Sequence, residues 1–140
     1  MPMKAYDIMT TNYVAAKENE TLMQINNKLL LGEFNGVPVV DRFNAVVGMI
    51  TSIDILKAIR NLENTDSLLA KDVMTTNPVR VNKETSVEDM IDLMIDNKIV
   101  LLPVVQEAGD ILIGIVTRLD ILRLRAVWNI PKSFSTMYHF

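Results

Sequence analysis

Three blocks of this 140-residue chain occur twice, in the same order. Asp7-Ile8-Met9-Thr10-Thr11-Asn12 returns as Asp72-Val73-Met74-Thr75-Thr76-Asn77. Val37-Pro38-Val39-Val40 returns as Leu102-Pro103-Val104-Val105 at the same offset. Gly48-Met49-Ile50-Thr51-Ser52-Ile53-Asp54 returns one residue later than that offset, as Gly114-Ile115-Val116-Thr117-Arg118-Leu119-Asp120. The extra residue falls in a longer turn, Gln106 to Asp110 against Asp41 to Asn44. The chain is therefore a duplication, and whatever one half folds into, the other must match. A unit of about 60 residues can bury only a modest fraction of its surface and is marginal alone. Repeats of that size gain stability by sharing a core. Two facing halves, packed through their sheets, are the expectation.

Within each copy the local signals run in one order. Thr21-Leu22-Met23-Gln24 and Thr85-Ser86-Val87-Glu88 read as capping boxes, in which a hydroxyl and a side chain three residues on satisfy unpaired helix donors. The helices that follow carry Leu22, Ile25 and Leu29 in one copy, and Val87, Met90, Ile91 and Met94 in the other, each set on one helical face. Gly32 and its counterpart Asn97 suit the left-handed backbone that ends helices. Apolar, β-rich runs follow at Val37–Val40 and Val46–Ile50, and again at Leu101–Val105 and Ile111–Val116. Second helices are expected near Ser52–Asn61 and Arg118–Trp128. The fold class is thus α+β, two pseudo-symmetric β-α-β-β-α repeats. The first repeat spans residues 1–66 and the second 67–125, with a polar connector over Arg60–Ser67 and a tail over 126–140.

Composition narrows the function. Fourteen basic against 17 acidic residues give a net charge of −3, whereas a protein that grips phosphate backbones needs a basic footprint. Nucleic acid is a disfavoured partner. The chain has no cysteine, which removes disulfides, thiolate nucleophiles and thiolate metal ligands. One histidine, His139, stands near the end of the chain and is expected to be solvated. No acid cluster has metal-ligand spacing, and the five glycines form no phosphate-binding loop. General acid–base and nucleophilic chemistry have little to work with, so a non-enzyme is expected. No apolar run approaches the roughly 20 residues of a membrane span, and Met1–Thr10 lacks a signal-peptide core. A cytoplasmic protein is the expectation. The nine methionines sit mostly at apolar positions such as Met23, Met49, Met90 and Met94, where core packing is their expected role.

The repeated blocks, Asp-hydrophobic-Met-Thr, hydrophobic-Pro-Val-Val and Gly-x-hydrophobic-Thr-x-x-Asp, resemble those of the CBS domain family over residues 1–125. That resemblance implies a Bateman module, a pseudo-symmetric pair of repeats that commonly dimerises into a flat disc. It further implies a cleft between the repeats that binds AMP, ADP, ATP or S-adenosylmethionine as a regulatory ligand rather than a catalytic cofactor. Carried onto matching positions, one site would comprise Ala15, Ala16, Asn35, Gly36, Val37, Thr117, Arg118 and Asp120. A second would comprise Arg80, Val81, Val100, Leu101, Leu102, Thr51 and Asp54. The chemistry suits such a ligand: a helix N-terminus favours phosphate, and an ionised aspartate one turn on accepts from ribose hydroxyls. The first site is expected to be the stronger. Gly36 allows close approach where Leu101 is bulky, and Arg118 offers a charge where its counterpart is Ser52.

Plainer readings stand beside these. Thr-x-x-Asp is also a capping box, Arg118 a surface charge, Gly36 a turn glycine, and Pro38 and Pro103 residues that begin a strand. The tail aromatics Trp128, Phe134, Tyr138 and Phe140 either cover the domain itself or bury against a second subunit. The functional expectation is a ligand-sensing regulatory module, a homodimer that acts on an unidentified protein. The alternative is a structural dimerisation module with empty clefts.

Overall fold

A computed structural model describes residues 3–61, 64 and 66–127. The tail aromatics and His139 lie outside the described residues.

The first half contains α1 (Ala5–Ile8), β1 (Ala16–Lys17), α2 (Leu22–Gly32), β2 (Gly36–Val40), β3 (Val46–Thr51) and α3 (Ser52–Arg60). The second contains α4 (Ala70–Val73), β4 (Thr75–Thr76), β5 (Val81–Asn82), α5 (Val87–Asn97), β6 (Leu101–Gln106), β7 (Ile111–Thr117) and α6 (Arg118–Val127). The β-α-β-β-α order holds in both repeats, with one added helical turn before each. In the first half β1 pairs parallel with β2, across α2, and β2 antiparallel with β3; in the second half β5 pairs parallel with β6, across α5, and β6 antiparallel with β7. Among the described residues no helix is long and apolar enough to cross a membrane.

Helix ends depart from the sequence reading in detail. Thr21 caps α2 as expected: its hydroxyl accepts from Gln24 N–H, and Gln24 Oε1 accepts from Thr21 N–H at 2.8 Å. In the second copy Ser86, not Thr85, caps the helix, accepting from Asp89 N–H at 3.1 Å. Thr85 is drawn back instead, its hydroxyl accepting from Asn82 N–H at 3.2 Å. At the other ends the left-handed residues are Glu33 and Lys98, one position beyond Gly32 and Asn97. Gly32 has a different reason to be small, because a Cβ there would fall 2.2 Å from the Phe34 ring.

Packing explains the repeated motifs. Three apolar clusters form, one behind each sheet and one between them. Leu22, Ile25 and Leu29 of α2 meet Val37, Val39 and Ile50 of the first sheet, and Met90 and Met94 of α5 meet Leu102, Val104 and Val116 of the second. Val40 and Val46 meet Leu101, Val105, Leu112 and Ile115 in the seam, so the halves do pack through their sheets. Each repeat also lends its opening segment to the other. Ala5 is fully buried in the second half's core and Ala70 in the first's. Ala5 N–H donates to Thr85 O, and Ala70 N–H to Glu20 O, both at 2.8 Å. β4 adds to the edge of β3, while Thr10 bridges to Ile115 on β7. The exchange links the two outer motifs physically. A Cβ on Gly48 would lie 2.4 Å from Met74 Sδ, and one on Gly114 2.7 Å from Met9 Sδ. Methionine of one repeat lies over the glycine of the other.

This predicts a coupled pair of effects. Gly114→Val should cost about 1–3 kcal/mol by overpacking against Met9. Adding Met9→Ala should recover part of that loss, since it removes the opposing thioether. Urea unfolding of the two variants checks it; a Gly114→Val chain as stable as the parent would show that Met9 is not confined there.

One exposed ion pair also ties the exchanged segment down. Lys4 Nζ stands 2.7 Å from Glu84 Oε2, and this hydrogen bond raises the lysine pKa and lowers that of the glutamate. The glutamate's contribution is therefore present above the ordinary carboxylate pKa and lost as pH falls through its lowered value. In full solvent it is small.

Candidate functional site

Both Thr-x-x-Asp motifs occupy the junction where a strand turns directly into a helix. Such a junction leaves first-turn N–H groups to be satisfied, and the motif does this twice. Asp120 Oδ2 accepts from Thr117 N–H at 2.8 Å and from its hydroxyl at 3.1 Å, while Asp120 N–H donates to Thr117 Oγ1 at 3.3 Å. Asp54 Oδ2 likewise accepts from Thr51 N–H at 2.8 Å and from its hydroxyl at 3.2 Å. The capping reading therefore holds for both pairs. It does not exhaust Asp120, whose second oxygen is held by Arg123 at 3.3 Å. Arg123 is 71% exposed while the Asp120 side chain is only 12% exposed, so the arginine is the partner easily displaced.

A cavity of about 320 Å³ opens beside Asp120. The first repeat contributes Phe34 and Asn35 from the loop between α2 and β2 and Gly36 at the start of β2, and the second contributes Thr117, Arg118 and Asp120 at the start of α6. Five of the eight residues assigned to the stronger site thus come together. The other three sit elsewhere: Ala16 and Val37 are buried in the first core, and Ala15 packs at the seam between the sheets. The Ala15 carbonyl already accepts from Lys28 Nζ at 2.9 Å. Ala16 and Val37 are 0% and 1% exposed, and neither lines the cavity.

The second set is dispersed. Val100 and Leu101 line this same cavity. Leu102 is fully buried and Val81 nearly so, both in the second core. Arg80 is tied into a fork with Asp110, with its Nε 3.0 Å from Oδ1, and also donates to Asn77 Oδ1 and the Pro78 carbonyl. A guanidinium with those partners is a structural clasp on the turn before β7. Thr51 and Asp54 cap α3.

Gly36 is not a turn residue. It lies in β2 opposite Thr51, and a Cβ there would come within 3.0 Å of the Ile50 carbonyl oxygen. The glycine allows β2 and β3 to close where β3 enters α3. The helix terminus also offers less to an anion than its position suggests. Arg118 N–H donates to Val100 O at 3.0 Å and Asp120 N–H to the Thr117 hydroxyl, so two of its first-turn donors are already engaged. Anion recognition then falls on the side chains of Arg118 and Arg123.

Arg123 and Phe34 were missed from the sequence, and both left a signal. Arg123 is three residues beyond Asp120, hence on the same helical face. Phe34 is an aromatic immediately before Asn35-Gly36, with Gly32 left small to accommodate its ring. Thr10 also lines the cavity, brought there only by the exchange of opening segments.

The family model that matches is the CBS domain, over residues 5–61 and again over 70–127. Among curated proteins, an uncharacterised 17.7 kDa protein of Acidianus ambivalens is 34% identical over 123 residues, 88% of this chain and 73% of that one. The inosine-5'-monophosphate dehydrogenase of Methanocaldococcus jannaschii is 32% identical over 122 residues, 87% of this chain but 23% of the enzyme. Protein MK0525 of Methanopyrus kandleri is 29% identical over 119 residues; the match spans 84% of this chain and 60% of that protein. Among solved structures, the CBS domain pair of protein MJ0100, in complex with 5'-methylthioadenosine and S-adenosyl-L-methionine, superposes with a TM-score of 0.80 at 28% identity, covering 90% of this chain and 98% of that one. CBSX2 in complex with AMP gives 0.79 at 28% identity, covering 89% and 96%. Two matched repeats, exchanged opening segments and a cleft roofed by both halves lead to one assignment: this chain belongs to the CBS domain family, as a tandem CBS pair.

Proposed function

We propose that this CBS pair is a non-catalytic sensor that binds an adenosine compound in the cavity between its repeats. The observation that carries this reading is the convergence of Asn35 and Gly36 from one repeat with Thr117, Arg118 and Asp120 from the other. Asp120 is an acceptor for ribose hydroxyls once Arg123 swings away, and the freed guanidinium then stands with Arg118 for phosphate. Phe34 offers an aromatic face to a base. The cavity's volume lies at the small end of the range for small-molecule sites. Similar CBS pairs hold AMP, or 5'-methylthioadenosine with S-adenosylmethionine. AMP, ADP, ATP and S-adenosylmethionine are the candidates, and the two arginines favour the nucleotides. The ligand's effect would pass to a protein partner, in the cytoplasm.

Melting scans with each of the four compounds test this. A ligand bound only by the folded state at a hundredfold excess over Kd stabilises it by about 2.7 kcal/mol. A rise in Tm with at least one compound is expected; no rise with any of them sinks the sensing reading.

A second property has its own support. Exposed apolar side chains recur at matching positions of the two repeats: Ile53 and Leu119, Leu56 and Leu122, Leu30 and Ile95. Apolar residues clustered on outer helix faces mark association surfaces. We therefore also propose a homodimer, compatible either with sensing or with a purely structural role.

A further inference from the structure

Asn35, on the wall of the cavity, is the only asparagine of the chain that precedes a glycine. Asparagine amides are among the thermolabile groups of proteins. They are lost when the backbone nitrogen of the next residue attacks the side-chain amide carbon. A side chain on that next residue crowds the attacking nitrogen, and glycine has none. Packing keeps Gly36 a glycine, because a Cβ there would stand 3.0 Å from the Ile50 carbonyl oxygen. The uncrowded nitrogen is thus a consequence of how β2 meets β3.

The fold also leaves the Asn35 amide open to attack. The residue is exposed, in the loop between α2 and β2. Its side chain makes no hydrogen bond among the described residues, whereas Asn44 and Asn97 are each held to a carbonyl and Asn82 to Glu107. Gly36 lies opposite Thr51, and Ser52 N–H donates to Asn35 O at 2.8 Å. That pattern makes Gly36 and Thr51 a pair that exchanges no hydrogen bonds, so the Gly36 N–H points away from β3. Ring closure requires the Asn35–Gly36 peptide to turn, which breaks the bond to Ser52. This bond is the last of the β2–β3 ladder, where local opening costs least.

From this placement we propose that Asn35 is a self-modification site, at which the ligand-free chain slowly converts an amide into a carboxylate and so disables its own cavity. The Gly36 nitrogen bonds to the Asn35 side-chain carbon, forming a cyclic imide. The carbon–nitrogen bond of the side-chain amide breaks, and the proton given up by Gly36 leaves with that nitrogen as ammonia. Water then adds to either carbonyl of the imide and opens it, to aspartate or to isoaspartate. Aspartate adds a carboxylate to a wall that already holds Glu33 and Asp120, and opposes Arg118. Isoaspartate also lengthens the backbone by a methylene where β2 begins, which displaces the Gly36–Thr51 register. Like charge then disfavours a phosphate. A bound nucleotide protects Asn35, since it selects the closed form over one with the peptide turned. This protective half rests on the sensing reading above; the conversion itself does not.

Incubation of the full chain at mildly alkaline pH, followed by peptide mass mapping over time, tests this. Asn35 should convert while Asn12 and Asn19, also exposed but followed by Tyr13 and Glu20, keep their amides. The incubation is repeated with AMP or ATP, whichever raises Tm more. At about a hundredfold excess over Kd nearly all molecules are occupied, and conversion should slow about a hundredfold. Nucleotide affinity of the aged chain should fall about tenfold or more, and a fresh Asn35→Asp chain should show the same loss. Asn35→Gln, whose longer side chain closes a larger and slower ring, should show no decline of affinity with age. An Asn35 that stays intact as long as Asn19 overturns the proposal. One rate with and without a nucleotide that raises Tm overturns the protective half. An Asn35→Asp chain that binds as the parent does overturns the loss of function. If no nucleotide raises Tm, the sensing reading fails and protection fails with it, while the mass map alone still judges the conversion.

Discussion

Replacing Leu102 by alanine should destabilise the protein by about 2–5 kcal/mol, the range for a large aliphatic side chain removed from a packed core. Leu102 is fully buried and packs with Met90, Val104 and Val116 behind the second sheet. β6 is covered on both faces, by α5 on one side and by the seam on the other, so neighbouring side chains cannot collapse freely into the vacancy. A loss of that size is a large part of the 5–15 kcal/mol that holds a typical domain together. Urea unfolding reads it directly, as a lower midpoint with an unchanged slope. The result also tests a site assignment. As a ligand contact, Leu102 would alter nucleotide affinity and leave stability nearly untouched. From its burial the opposite follows: lower stability, with the Kd of whatever fraction remains folded unchanged. A variant as stable as the parent would show that the second core is not packed as described.

The second large effect belongs to Asp120, compared with its counterpart Asp54. Both carboxylates hold the same cap, so each alanine variant should lose about 1 kcal/mol of stability, the scale of a helix cap. Only Asp120 lines the cavity. The Asp54→Ala chain should therefore keep the full ligand-induced stabilisation, about 2.7 kcal/mol at a hundredfold excess over Kd. The Asp120→Ala chain should bind about a hundredfold more weakly and retain only about 0.4 kcal/mol at the same ligand concentration. Using the pair cancels the structural role and leaves the binding role visible. Ligand stabilisation lost in Asp54→Ala and kept in Asp120→Ala would reverse the order of the two sites. Equal loss in both would make the effect one of capping alone.

Much of this architecture is legible before any coordinates. Duplication is visible because Asp-x-Met-Thr, Pro-Val-Val and Gly-x-x-Thr-x-x-Asp each recur in order. Strand and helix positions follow from apolar periodicity, which depends on local backbone geometry and needs no partner. The misplaced second cap shows the limit of that approach. Thr85 and Ser86 are both good caps, and Asn82 decides between them by engaging Thr85. The candidate site was legible in part for the same reason. Thr117, Arg118 and Asp120 sit at a strand–helix junction that sequence pattern marks, and Asn35 and Gly36 mark the facing entry into β2.

The assigned residues that the structure places in the two cores share one feature. Ala16, Val37, Val81 and Leu102 are small or aliphatic, and nothing local tells a cleft wall from a core wall. Arg80 is engaged by Asp110, which lies 30 positions away in the chain and 3.0 Å away in space. Thr10 reaches the cavity only because the opening segments change places, a fact of topology that no window of residues contains.

Residue order alone establishes that two homologous halves exist, what elements each contains, and that each is marginal by itself. These follow from short-range propensity, periodicity and the surface-to-volume ratio. Which methionine covers which glycine, which carboxylate faces open space, and which arginine is already engaged depend on contacts between distant positions. Those contacts form only when both sheets close on the shared seam, and the chemistry of the cleft follows from that closure.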